Sequence, residues 1–247
     1  MTFKVTKERY DALMDVVMNR MTVRAFDQDY EVPKSHYELI LEAARHGPSG
    51  ANTQPWHYIV ITEPQIKQSL AEYFVKEQRQ RAKLKMKFPT PDYRGLGAAP
   101  GVIVVVSDFR WTKAFPNLRE EDSKLNAMYK ENAERILLQS VAASTMSAHL
   151  AASALGYSVW WITAIGQQEA QDAIKPLLGI PEELSVLDVM CFGPSKKEPY
   201  KRWKKSLNEI FSWNTFDQAH FLTEKEIDTW IQTQRSKVMY RDEAKID

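Results

Sequence analysis

The sequence predicts an α/β or α+β domain built around a mixed central sheet flanked by helices. Three observations carry this. Helix-like and strand-like periodicities alternate along the chain, helix first. The run Gly101-Val-Ile-Val-Val-Val-Ser107 is β-branched, apolar and sharply bounded, as a buried strand should be. Residues 127–155 read as one long helix, and from Ile136 to Leu155 nearly every face is apolar or small. A helix apolar all round belongs in the middle of a domain.

The other elements follow in order. Residues 7–18 place Tyr10, Leu13, Met14 and Val17 on one helical face. Ser35-His-Tyr-Glu38 is a capping-box pattern ahead of Leu39, Ile40, Ala43 and Ala44, and Gly47 stops that helix. Residues 57–62 read as a strand. Thr62-Glu-Pro-Gln65 opens the next helix, where a proline in the first turn is tolerated. Residues 76–87 carry six basic side chains and one acidic, and Pro89 and Pro91 break that segment. Gly156 ends the long helix. A strand at 157–162, a helix at 167–178 and a strand at 184–192 follow, and Thr223-Glu-Lys-Glu226 caps a last amphipathic helix.

Composition narrows the function classes. The chain has 247 residues, 44% hydrophobic and 26% charged, with a net charge of +1, so bulk charge favours no particular partner. The single cysteine, Cys191, excludes an internal disulfide framework and lies in an apolar run that reads as a buried structural site. No stretch approaches ~18 consecutive apolar residues, so no membrane span is expected. The N-terminus lacks the apolar run of a signal peptide, and the expected compartment is cytoplasmic. The five histidines are scattered without ligand spacing, so no metal is expected. The 7 tryptophans suit a planar-ligand pocket, an oligomer interface or plain core packing.

Two segments could carry chemistry. The first is Arg20-Met-Thr-Val-Arg24, whose guanidinium forks suit phosphate and carbonyl oxygens, or else pair with Asp27, Asp29 or Glu31. The second is Pro48-Ser49-Gly50-Ala51-Asn52-Thr-Gln54-Pro-Trp56. Its glycine turn can aim backbone N–H groups at a ligand, Ser49 adds a hydroxyl, and Asn52 and Gln54 offer donors and acceptors for the edge of a heterocycle. The competing reading is an ordinary turn whose amides satisfy loop backbone.

In fixed order, Arg-x-Thr-Val-Arg-x-Phe followed by Pro-Ser-x-x-Asn-x-Gln-Pro-Trp-x-Tyr resembles the N-terminal signature of the nitroreductase family of FMN enzymes. The likeness covers roughly residues 10–211, through the long small-residue helix and a basic stretch before Leu207-Asn-Glu-Ile210. It implies an α+β fold, an intertwined homodimer with shared active sites, bound FMN, and NADH or NADPH as co-substrate in ping-pong turnover. It implies a flavin site made by Arg20, Met21, Thr22, Val23 and Arg24, with Ser49 and Gly50 contributed by the partner subunit; Pro48, Asn52 and Gln54 are further candidate cofactor contacts. Trp161, Ile162 and Thr163 match a third segment beside the flavin ring, with Thr163 near N5; Lys204, supported by Arg202 or Lys205, matches the basic phosphate ligand. Thr163 and Arg24 are thus the expected catalytic residues, Arg24 through its charge near the flavin N1/O2 edge.

The match has departures. Met21 stands where many relatives have a second basic or polar residue, and the phosphate stretch has lysines and Trp203 where arginines and a proline are common. The segment 74–95 falls where relatives place a substrate lid, so Glu77 and Arg81 are candidate substrate contacts, and Ala51 of the Pro-Ser-Gly-Ala turn is another. Iodotyrosine deiodinases, a branch of the superfamily, carry a tyrosine where this chain has arginine in Glu77-Gln-Arg-Gln-Arg81, which argues against iodotyrosine. The expected substrate is a small nitroaromatic, quinone or activated alkene. Alternatives are reductive dehalogenation of a halogenated aromatic, a flavin-storing protein, and a nucleic-acid module using basic stretches 76–87 and 196–205; near-neutral net charge counts against the last. Residues 1–247 are expected to form one domain, core about 10–211, with an extension at 212–247 packing on the core or on the partner.

Overall fold

In the computed structural model, which describes residues 6–83, 91–115, 123–198 and 203–234, the elements run α1 (Lys7–Asn19), α2 (Lys34–Arg45), β1 (Trp56–Val60), α3 (Pro64–Lys83), α4 (Arg94–Gly97), β2 (Gly101–Ser107), α5 (Ser123–Ala154), β3 (Ser158–Ile162), α6 (Gln168–Leu178), β4 (Ser185–Gly193) and α7 (Glu224–Thr233). The chain divides into two compact units, residues 1–199 and 200–247. That division lies ahead of the expected extension at 212.

The strands of the first unit order β1-β2-β4-β3, and each neighbouring pair is antiparallel. The parallel component of the expected mixed sheet is a single bridge, Thr22 to Val159, laid along the outer edge of β3. Directly opposed residues share a face. Val60, Ile103, Met190 and Trp161 therefore line up across the sheet on one side, as do Tyr58, Val105 and Asp188. On that side Ile103, Val159, Met190 and Phe192 pack with Tyr37 and Ile40 of α2 and Ala148 and Ala152 of α5. On the other side Val102, Val104, Val106 and Cys191 pack with Leu70 and Phe74 of α3 and Ile174 of α6. Cys191 is a buried free thiol, and burial raises its pKa.

Helix α5 buries Leu137, Val141, Thr145, Ala148 and Ala152, while Ala142, Ala143, Met146 and Ser147 on its other flank are only half-buried and Leu138 is exposed. A single chain thus covers one side of the helix that the sequence marks as apolar all round. Helix α1 has no buried residue. Its expected apolar face stays open, with Tyr10 60% and Leu13 53% exposed. The expected Ser35–Glu38 capping box does not form: Pro33 is the N-cap, at φ −59°, and α2 already begins at Lys34. Proline's fixed φ sets the helix entry two residues earlier.

The second unit, over its described residues, holds two short 3-10 turns and α7. Both Ser206–Glu209 and the expected Thr223–Glu226 form reciprocal capping boxes. Trp203 and Trp230 sit with ring centroids 6.1 Å apart, while Leu207, Ile210, Trp213, Phe216 and Phe221 are exposed.

Candidate functional site

The segment after α1 is tied down as an extra edge. Arg20 N–H donates to Val16 O and closes α1. Val159 N–H donates to Met21 O at 3.2 Å, and Val23 N–H donates to Val159 O at 2.9 Å. Further on, Asp27 N–H donates to Pro194 O and Lys196 N–H to Ala25 O, both at 2.9 Å. Val23 and Phe26 fill the core, leaving Arg20, Met21, Thr22 and Arg24 half-buried along the rim. Arg20 makes no ion pair among the described residues, and burial lowers its pKa from the ordinary value; a guanidinium keeps its charge regardless. The Arg24 guanidinium lies over the Trp160 ring, 5.3 Å from its centroid. Its main chain is held from below, because a Cβ on Gly95 of α4 would collide with the Arg24 carbonyl oxygen.

Trp160 belongs to a ladder of rings. Tyr93 stacks on it at 5.5 Å, and Phe74 stacks on Tyr93 at 5.2 Å. The ladder joins α3, the loop before α4 and β3 beneath Arg24. Neither Trp160 nor Tyr93 stands out in the sequence as a site residue. The paired tryptophans 160–161 are the one signal that could have drawn attention to this strand.

Trp161 points to the opposite face, where the His149 imidazole stacks on it at 5.1 Å and 25°. His149 is 1% exposed, and its Nε2 has no hydrogen-bond partner. Burial, with the Arg20 charge adding to it, holds the imidazole down to a pKa of about 3, so it is neutral. Asp188 of β4 is buried on the same face, and burial pushes its carboxyl up to about 6. The Trp161 indole N–H lies close enough to draw that value back down, yet it stops short of hydrogen-bond geometry. Tyr58 is pushed up to about 12 by burial and shares a 2.5 Å hydrogen bond with Ser144, whose hydroxyl donates to Ala44 O. Ile162 is buried, and Thr163, just past the strand, is exposed.

The Pro48–Trp56 segment is strained. Ala51, Asn52 and Gln54 all have positive φ, at 50°, 52° and 46°. Such backbone costs free energy for residues with a Cβ and gathers at functional sites. Much of the turn's polarity is spent internally: Gly50 N–H donates to Ser140 Oγ at 3.1 Å, Gln54 N–H donates to Ser49 Oγ at 3.2 Å, and Thr53 Oγ1 donates to Gly50 O. Gly50 has no room for a side chain, since a Cβ would collide with Ile136 of α5. Pro48, Ala51, Asn52 and Gln54 stay exposed, with the Gln54 side-chain amide donating to Asn52 Oδ1 at 3.4 Å.

Two expected groups are not brought together by a single chain. The Arg20–Arg24 segment borders β3 and the Pro48–Trp56 segment leads into β1, and these are the two outer strands of the sheet. Three strand spacings from β1 to β3, and a fourth to the segment outside β3, put those edges roughly 19 Å apart. Glu77 and Arg81 pair with each other on α3 at 2.7 Å, as an i,i+4 ion pair about one-quarter exposed. Residues 84–90 of the expected lid, with Lys85, Lys87 and Pro89, lie outside the described residues, as does Arg202. Lys204 and Lys205 are exposed in the second unit. Among the described residues no group of three or more His, Cys, Asp or Glu could hold a metal ion, and no helix is long and apolar enough to cross a membrane.

A family model described as the nitroreductase family matches residues 17–194. An Archaeoglobus fulgidus protein, provisionally named a NADH dehydrogenase/NAD(P)H nitroreductase, is 27% identical over 185 residues, 75% of this chain and 86% of its own. An oxygen-insensitive NADPH nitroreductase of Helicobacter pylori is 38% identical over a shorter stretch, 27% of this chain and 33% of its own. Among solved structures, the nitroreductase CinD of Lactococcus lactis in complex with nicotinic acid superposes with a TM-score of 0.64 at 18% identity, over 82% of this chain and 99% of that one. An FMN-dependent nitroreductase of Clostridium difficile gives 0.56 at 21% identity, over 82% and 99%. At these identities the structural likeness is one of fold.

Proposed function

The chain belongs to the nitroreductase family of oxidoreductases, and on that footing we propose that it is an FMN-dependent enzyme that oxidises NADH or NADPH and reduces a small nitroaromatic, quinone or activated alkene. The observation that carries the reading is the edge built by Arg20–Arg24 along β3, next to Trp161–Thr163. The residues suit the cofactor. Arg20 and Arg24 supply cationic forks for phosphate and carbonyl oxygens, Thr22 and Thr163 supply hydroxyls, and Asn52 and Gln54 supply exposed amides for a heterocycle edge. Bound FMN would supply two-electron transfer between a nicotinamide and the acceptor.

The chain's own residues then have separate tasks. Arg24, fixed between Trp160 and Gly95, holds a positive charge where negative charge would develop on reduction. Thr163 offers a hydroxyl at the strand end for orientation. Lys204, with Lys205 or Arg202, would hold phosphate. Glu77 and Arg81 neutralise one another, so they would meet a substrate as a polar pair and not as net charge.

The reading includes a homodimer with shared sites. Its support is the separation of the two ligand segments on opposite sheet edges, together with the open faces of α1 and α5. A cytoplasmic location belongs to the same reading and rests on composition.

Reductive dehalogenation is the second reading. It is favoured by a 35% identity over 66 residues to an iodotyrosine deiodinase of Drosophila melanogaster, which covers 27% of this chain and 23% of that protein.

The test is purification and a visible spectrum, followed by anaerobic stopped-flow reduction with NADH and NADPH and reoxidation by nitro, quinone, enone and haloaromatic compounds. A yellow protein with stoichiometric FMN, reduced by a nicotinamide and reoxidised by one of the first three classes, is expected. A colourless protein that takes up no added FMN would overturn the reading; reoxidation by haloaromatics alone would favour the second.

A further inference from the structure

Trp161 neighbours two buried polar side chains that the proposed reaction does not use. His149 of α5 stacks against its ring at 5.1 Å, and Asp188 of β4 lies on the same sheet face, two residues along from Met190, which opposes Trp161. Both are almost fully buried, at 1% and 7% exposure. Apolar packing alone gives no reason for either. Asp188 is the one carboxylate in the otherwise apolar run from Val186 to Phe192, and a buried carboxylate without a cation partner is worse for stability than an apolar side chain of its size. No ion pair involves it among the described residues.

The backbone is also adapted to this residue. The β2–β4 register shifts between Val105 and Val106: Val105 opposes Asp188, Val106 opposes Val186, and Leu187 is the extra residue. Before the bulge, Asp188 shares the α5 face with Met190; beyond it, Val186 has crossed into the cluster on the other face. Bulges re-aim side chains next to functional sites. Here the bulge makes Asp188 the last residue of its row, on the row next to Trp161.

We propose that His149 and Asp188 are positioning residues that clamp the Trp161 indole, and through it fix the flavin-facing wall of the site. The inference rests on the proposed FMN site for its second half only. His149 fixes the ring plane by stacking. Asp188, a diagonal cross-strand neighbour, biases rotation about the side-chain axis by attracting the indole N–H without a formed hydrogen bond. Two restraints of different kind on one ring leave it a single orientation, as a preorganised cofactor wall requires.

The experiment labels the full chain with 5-fluorotryptophan and assigns the Trp161 resonance by its loss in Trp161→Phe. Asp188→Leu removes the carboxylate and keeps its branched outline, and Asp188→Asn keeps both the volume and an acceptor. His149→Ala removes the stack, and His149→Phe keeps a ring. The clamp predicts that Asp188→Leu and His149→Ala shift or broaden the Trp161 signal and leave the other tryptophans in place, while Asp188→Asn and His149→Phe restore it. For FMN it predicts at least a tenfold rise in Kd for Asp188→Leu, without loss of Tm, and less than a twofold further rise when Asp188→Leu is added to Trp161→Phe. An unmoved Trp161 signal in both disruptive variants overturns the clamp, as does a full additive loss of FMN affinity in the Trp161→Phe background. If Asp188→Leu fails to fold, the two His149 variants decide by the same signal. Failure of the unmodified chain to bind FMN overturns the proposed function, and the resonance result then decides the clamp alone.

Discussion

Arg24 carries its guanidinium over the indole of Trp160, with 5.3 Å between guanidinium carbon and ring centroid. The contact fixes a charge on an aromatic base that is itself stacked on Tyr93. Arg24→Ala should weaken FMN binding by roughly tenfold, on the order of 1–2 kcal/mol for a lost charged hydrogen bond. Arg24→Lys should recover only part of this, because an ammonium cannot reproduce the planar fork. Flavin fluorescence titration measures both; equal affinity for all three proteins would remove Arg24 from the site.

Gly50 is fixed by sterics and not by φ. A side chain there would strike Ile136 of α5. Gly50→Ala should therefore cost about 1–3 kcal/mol, the range of overpacked sites, and lower Tm by roughly 3–10 °C. In an Ile136→Ala background the same substitution should cost much less. Thermal unfolding of the four proteins of this cycle checks it, and additive losses would contradict the stated cause.

The two buried titrating groups act on stability with opposite sign. Asp188 has its folded pKa raised to about 6, above an unfolded value of about 3.9. The folded state then binds more protons, so stability falls as pH rises from about 4 to about 6; two units correspond to about 3 kcal/mol at most. His149 has its folded pKa lowered to about 3, below an unfolded value of about 6.5. The unfolded state binds more protons, so stability is lost as pH falls below about 6.5. Relative to the unmodified chain, Asp188→Asn should gain most above pH 6, and His149→Phe should gain most at acid pH. Denaturant titrations across pH 4–8 read both differences, and parallel curves for all three proteins would refute the assignments.

The open face of α1 makes a separate prediction. Leu13, 53% exposed on a helix with no buried residue, should lie in the subunit interface. Leu13→Asp should shift the sedimentation mass from dimer to monomer and lower FMN content with it. A variant of unchanged mass and flavin content would place the interface elsewhere.

Much of this fold is legible from periodicity. The strand Gly101–Ser107 coincides with its apolar run, and the long helix and the strand after Gly156 lie within a few residues of their patterns. The start of α2 was not, because Pro33 dictates the entry before Ser35 can cap it. The α1 face was legible as apolar but not as open, since periodicity marks what is to be buried and is silent about which chain buries it. The ligand segments could be read as polar clusters in a recognisable order; their placement on opposite sheet edges depends on strand order, which the local pattern does not carry. His149 and Asp188 are not legible as site residues, because a lone histidine on a helix and a lone aspartate in a strand acquire meaning only when the fold brings both to the face of Trp161.

The shared flavin site is tested most directly by mixing two defective chains. Arg24→Ala damages the segment bordering β3, and Ser49→Tyr obstructs the segment leading into β1. At a free FMN concentration near the Kd of the unmodified protein, each variant alone should hold little FMN. Dissociated, mixed in equal amounts and reassociated, they should regain FMN in about one site in four, because half the dimers are mixed and each mixed dimer has one intact site. If each chain builds its own site, mixing restores nothing, and the account of a flavin held between two copies is wrong.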